Sequence, residues 1–432
     1  MENDVRKPVL SGAEVTVLDN HLTILTREVH NAPVASLWVF YRVGSRNEIP
    51  GVTGISHWVE HMLFKGTPQF PKGEIDRQIA RNGGVMNGMT SVDFTTYFET
   101  LPADRFDLAL RLESDRMINS VFDPAEVDAE RTVIISERQM YENYPAFLLS
   151  EEVQASAFKL HPYRHQVIGW LSDLNTMTRD DLWKHYRTYY TPNNAVAVVV
   201  GDFETDALLD RMQELFEGGP EGPKVPPVTF EEPPQRGERR VTVRGEGRTA
   251  YVEAVFHVPA ADHPDFYPLV VLDSILGGAQ SMAFFSGGGT TNRTSRLYKA
   301  LVKTELASGV GSSVRPTIDP YLFSFSATVR TGRTPQEVED ALWQEVERIK
   351  DELVTDEELT RAIKQAKAQF AYSSESVTNQ AYWLGFSSMF ADHTWLDTYL
   401  DRLGEVTAED MQRVAQTYLV ETNRTVGWYV PV

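Results

Sequence analysis

The sequence contains no cysteine, which excludes disulfides, thiolate metal sites and cysteine nucleophiles. Any metal it binds must therefore be held by His, Asp or Glu. No apolar run approaches the roughly 18 uninterrupted residues that a membrane-spanning helix needs. The opening MENDVRKPVLSGAEVTVLDNHLTILTREVH lacks a basic flank followed by an apolar stretch, so it reads as neither a secretory signal nor a transit peptide. The expected address is the cytoplasm, with no membrane partner. Basic residues are scarce, 41 Lys and Arg against 61 Asp and Glu, giving a formal charge of −20. Such a surface repels nucleic acid and excludes it as a partner.

The remaining composition, 42% hydrophobic and 24% charged, is that of a globular chain. Its 432 residues exceed one ordinary core and imply at least two domains. The stretch from Gly218 to Arg239, GGPEGPKVPPVTFEEPPQRGER, has prolines and glycines that block both helix and central strand. It reads as a linker, giving domains at 1–217 and 239–432 with the linker at 218–238.

An internal repeat supports this division. The segment MTRDDLWKHYRTYYTPNNAVAVVV, 177–200, aligns with VTAEDMQRVAQTYLVETNRTVGWY, 406–429, and Thr178/Thr407, Asp181/Asp410, Tyr189/Tyr418 and Asn194/Asn423 are identical pairs. Each copy reads as a Thr cap, an amphipathic helix, a polar turn and a strand. A second pair, 105–127 with 337–359, is helical in both copies. Strands are expected in VTVLDNHLTILTREV, SLWVFYRVG and FTTYFETL, and again in RVTVRG, TAYVEAVFHV and LFSFSATVR. Runs of strands beside pairs of helices predict an α+β fold that arose by duplication.

The chemistry is concentrated in GISHWVEHMLFKG, 54–66, predicted as a helix that Ser56 caps. His57 and His61, four apart, share one helical face and can direct imidazole nitrogens at one point. Glu60 lies beside them, within reach of a metal-bound water. H-x-x-E-H is the inverzincin signature, although alone it also fits a surface helix with two solvated histidines. A catalytic zinc site needs a third protein ligand. In ERTVIISE, Glu130 and Glu137 are seven apart, two helical turns, so Glu137 can ligate while Glu130 supports from behind. Taken alone, that pair also fits a solvated face. His161 and His165 share the four-residue spacing, but Pro162 lies between them, and they are read as structural.

HWVEHMLFKGT, GGVMNGMTSVDFTTYF and ERTVIISE, with Glu137 standing 76 residues after His61, resemble the pitrilysin or insulinase family of zinc peptidases. The likeness is to the half-sized branch that includes mitochondrial processing peptidase, and it runs through nearly the whole chain. It implies two similar α+β domains, each an antiparallel sheet packed with helices, one zinc ion per chain, and a degenerate second domain. The repeat agrees, since Glu130 maps to Ala362 and Glu137 to Gln369, and the second half has no H-x-x-E-H. By the same resemblance Asn87 and Gly88 lie on a strand edge that pairs with a peptide substrate. The local sequence fits an Asn-Gly hairpin turn equally well. Active single-chain members carry an arginine followed seven residues later by a tyrosine in the second half. Here those positions are Leu301 and Ser308, while Arg296 and Tyr298 have the wrong spacing. The expectation is a zinc metalloendopeptidase working as a dimer, with a paralogous subunit supplying Arg and Tyr. The alternative is a non-catalytic scaffold subunit. Ser286–Asn292, rich in glycine, is expected to be a mobile loop and not a phosphate cradle, because it lacks Gly-Lys-Ser/Thr.

Overall fold

The computed structural model describes residues 12–279 and 293–432, which form two compact units. The first takes the chain through Arg138, then His165–Thr229 and Ser374–Asp397. The second takes Gln139–Arg164, the described residues of Phe230–Ser373, and Thr398–Val432. The expectation for Ser286–Asn292 lies outside the described residues.

The first unit is built on β1 (Glu14–Val17), β2 (Thr23–Glu28), β3 (Val34–Tyr41), β4 (Val85–Thr90), β5 (Thr95–Pro102) and β6 (Ala195–Gly201), in the sheet order β1-β2-β6-β3-β5-β4. β6 is buried along its whole length, which is why AVAVVVG is a continuous apolar run without alternation. The helix Val377–Phe390 lies against β3 and β6. It approaches so closely that a Cβ on Gly385 would stand 2.1 Å from the Phe40 ring, so only glycine fits there.

The second unit contains β7 (Arg239–Gly245), β8 (Tyr251–Val258), β9 (Ala307–Ser313), β10 (Tyr321–Val329) and β11 (Arg424–Pro431), ordered β7-β11-β8-β10-β9. Strand for strand this repeats β2-β6-β3-β5-β4. The duplication extends to single hydrogen bonds. Thr178 and Thr407 cap the helices Arg179–Tyr189 and Ala408–Tyr418 through boxes with Asp181 and Asp410. Asn194 Nδ2 then donates to Tyr189 O, and Asn423 Nδ2 to Tyr418 O, each at 2.8 Å.

Two expectations need correction. The sheets are mainly antiparallel, but β2 with β6 and β7 with β11 run parallel. The last strand of each repeat returns to its first strand through a long helical crossover, and such a connection allows parallel pairing. The units are also not contiguous halves. The helix Pro145–Ala157 from the first half packs on β7, β8 and β11, and Val377–Phe390 from the second half packs in the first unit. Local periodicity marks an apolar helix face but not the sheet that covers it. Residues 220–236 carry no helix or strand, and the boundary between the two units falls within them, between Thr229 and Phe230.

Asp273 is buried in the helix Phe266–Leu276, where burial pushes its carboxyl up to about 7 against one hydrogen bond from Ser312. Its folded value lies above the ordinary 3.8, so its contribution is complete below that pH and is lost as pH rises towards 7. Asp273→Asn is expected to remove this slope, on the order of 1 kcal/mol per pH unit crossed, and to raise the urea midpoint at pH 8 but not at pH 4. Urea titrations at both pH values check it.

Candidate active site

The helix Ile55–Met62 does not begin as the sequence suggests. Gly54, at φ 87°, occupies the cap, and Ser56 lies inside the first turn without a capping hydrogen bond. The orphan N–H groups are satisfied from outside. Glu48 accepts from Gly54 N at 2.8 Å and Ser56 N at 2.9 Å, and its carboxylate also meets His165 Nε2 at 2.8 Å. The left-handed cap backbone requires glycine, so a side-chain cap must come from elsewhere in the chain. His165 is thus structural, as expected, and so is His161, which pairs with Asp319 at 3.0 Å in the second unit. Asp173 fixes the preceding turn through Thr53 N (3.0 Å), Thr53 Oγ1 (2.7 Å) and Gly51 N (3.1 Å).

Along this helix the His57 and His61 rings are adjacent, with centroids 4.6 Å apart. Glu137, on the helix Pro124–Glu142, presents Oε2 at 3.8 Å from both His57 Nε2 and His61 Nε2. The three donor atoms lie within 4.8 Å of one another. At 3.8 Å the nitrogens and oxygen are too far apart for hydrogen bonds. Bonds of about 2.0–2.2 Å from one zinc ion would bring such donors to nearly this spacing. The donor set, two imidazoles and one carboxylate, fits zinc.

The surrounding groups suit that use. His61 Nδ1 meets Glu130 Oε1 at 2.8 Å, an arrangement that in the neutral ring places the proton on Nδ1 and turns the Nε2 lone pair towards Glu137. Glu130 is 5% exposed, and its other oxygen is paired with Lys65. Burial, helped by His61, lowers His57 to about 3, which keeps it neutral and able to ligate. Burial also acts to lower His61, but the Glu130 hydrogen bond and the charges of Glu60, Glu130 and Glu137 outweigh it and raise it.

Glu60 is buried, which raises its pKa against the opposing pull of His61 and Thr90. Thr90 Oγ1 donates to Glu60 Oε2 at 2.9 Å. Oε1 faces β4, where a Cβ on Gly88 would stand 3.1 Å away and 3.0 Å from the Phe64 ring. Gly88 therefore keeps open the space over Glu60. Asn87 and Gly88 lie within β4 and not at a turn, and β4 is the last strand of its sheet. The hairpin-turn alternative is set aside by this register.

Among its described residues the second unit has no equivalent donor group. Carrying the register through β6 and β11 places Ser312 where Gly88 stands, and Ser312 donates to the buried Asp273, filling the corresponding space. Ala362 is buried at the Glu130 position. Arg296 is committed to Glu358 at 2.9 and 3.0 Å, Leu301 is buried, and Ser308 is exposed. The sequence reading missed Glu48, Lys65 and Thr90. Only Lys65 carried a local signal, standing four residues after His61.

Fold and donors define a duplicated α+β protein with a candidate metal site, His57, His61 and Glu137, in one of its two units. The chain belongs to the insulinase family, peptidase family M16. Residues 23–169 match the family model described as insulinase (peptidase family M16), and residues 176–366 match the peptidase M16 inactive domain. The chain is 30% identical over 434 residues to zinc protease PqqE of Helicobacter pylori, covering 97% of this chain and 93% of that one. It is 24% identical to the probable mitochondrial-processing peptidase subunit beta of Arabidopsis thaliana, covering 98% of this chain and 80% of the other. The crystal structure of a protease from Helicobacter pylori superposes with a TM-score of 0.91 at 29% identity, covering 97% and 99% of the two chains. A peptidase M16 inactive domain from Pseudomonas fluorescens, 18% identical with a TM-score of 0.85 and 98% of each chain covered, shares the fold.

Proposed function

We propose that the chain is a zinc-dependent endopeptidase acting on peptides or unfolded segments, with one zinc ion held by His57, His61 and Glu137. The observation that carries this reading is the convergence of those three donors beside a buried carboxylate, Glu60, that has one anchored and one free oxygen. Relatives named zinc proteases support it. When bound, zinc would polarise the scissile carbonyl and acidify the attacking water. Thr90 holds Glu60 Oε2 so that Oε1 can take a proton from that water and return it to the leaving nitrogen. The open edge of β4, with Asn87 and Gly88, would receive the substrate as an added strand whose backbone supplies most of the affinity. Glu130 keeps the His61 ring in place.

The assembly we propose is a dimer with a paralogous subunit that supplies the Arg and Tyr absent from positions 301 and 308. Relatives named as beta subunits favour it. The test is cleavage of a quenched, unstructured peptide by the purified chain, alone and with a paralogous subunit added, with and without chelator and with zinc restored. Chelator-sensitive cleavage that zinc restores is the expected result. Stoichiometric zinc without cleavage, unchanged by adding a paralogous subunit, would favour the scaffold reading.

A further inference from the structure

Glu130 is gripped at both oxygens. Oε1 meets His61 Nδ1 at 2.8 Å, and Oε2 is paired with Lys65 Nζ. His61 and Lys65 stand four residues apart. Lys65 leaves from the turn that closes the helix Ile55–Met62, where its N–H bonds Met62 O at 3.0 Å. A buried carboxylate held by a single donor can turn about its terminal bond and orient its partner poorly. With a different donor on each oxygen that rotation is blocked, and the His61 Nδ1 proton has one fixed acceptor. Among the described residues His57 has no such support, because none of them hydrogen-bonds its buried Nδ1. The hold on the metal therefore depends unequally on the His61 side.

We infer that Lys65 is a positioning residue of the metal site, fixing Glu130 and through it the tautomer and ring plane of His61, so that zinc is bound more tightly. This rests on the zinc reading above but not on catalysis. A bare charge argument has the opposite sign, since removing a nearby cation should strengthen binding of a dication. The sign of the effect separates the two.

The experiment is the zinc dissociation constant of the full chain, measured by competition with a chromophoric chelator well below the unfolding temperature. Wild type is compared with Lys65→Met, Lys65→Gln and Lys65→Arg, and the thermal midpoint of each metal-free protein is recorded alongside. Lys65→Met and Lys65→Gln are expected to bind zinc about 10–100-fold more weakly at little-changed thermal midpoints, with Lys65→Arg recovering most of the loss. Equal or tighter binding in the neutral variants overturns the inference, whether or not the wild type cleaves peptides. Weaker binding in those variants beside a wild type that binds zinc but does not cleave even with a paralogous subunit added overturns the peptidase reading and leaves this inference standing.

Discussion

Glu60→Gln is expected to lower kcat by about 10²–10⁴-fold while leaving zinc content unchanged, because that is what general acid–base groups contribute. The amide keeps the shape of the side chain and can still accept from Thr90, whose hydroxyl holds Oε2 at 2.9 Å. It cannot take the proton. His57→Ala and Glu137→Ala each remove one of the three donors found among the described residues and are expected to lose both metal and turnover. Metal analysis beside single-turnover kinetics separates these classes. A Glu60→Gln variant with wild-type turnover would remove Glu60 from the mechanism, and a His57→Ala variant that keeps full zinc would remove the metal assignment.

Arg116→Met is expected to cost about 3–5 kcal/mol of stability, the range for breaking a buried ion pair by removing one partner. Arg116 is fully buried, 2.7 Å from Glu113 and 3.6 Å from Glu99, both equally buried. Its guanidinium also stacks over Tyr97 at 4.7 Å and Phe64 at 5.1 Å, so methionine loses a cation–π contact as well as the charge. Burial foremost, then Glu113, holds the Glu99 carboxyl well above its ordinary range, with Arg116 opposing. The stability linked to Glu99 is therefore complete below about pH 4.5 and is lost as pH rises. Accordingly, Arg116→Met should be less damaging in acid than at pH 8, and Glu99→Gln should be mild at neutral pH. Denaturant titrations at two pH values check both.

Much of the site was legible because helical spacing is local geometry. Two histidines four apart must share a face, and two glutamates seven apart must share another, whatever the rest of the chain does. The duplication was legible for a related reason: each repeat carries its own cap, helix, turn and strand, and these fold by the same local rules in both copies. What surrounds the helix was not legible. Glu48 caps from six residues before Gly54, His165 arrives from 117 residues beyond Glu48, and Thr90 reaches Glu60 across 30 residues. No spacing rule links such partners.

The sequence by itself determined the α+β class, the repeat and the helix faces that group His57, Glu60 and His61 and pair Glu130 with Glu137, because periodicity, capping and side-chain chemistry act within a few turns of chain. Only the tertiary structure decided that each half lends a helix to the other unit, that one pair of strands in each sheet runs parallel, and that Gly88 opens the space that Ser312 closes in the second copy. Those outcomes depend on which apolar face finds which sheet. Burial is non-directional and rewards any face that excludes water, so the choice rests on shape complementarity between segments far apart in the chain.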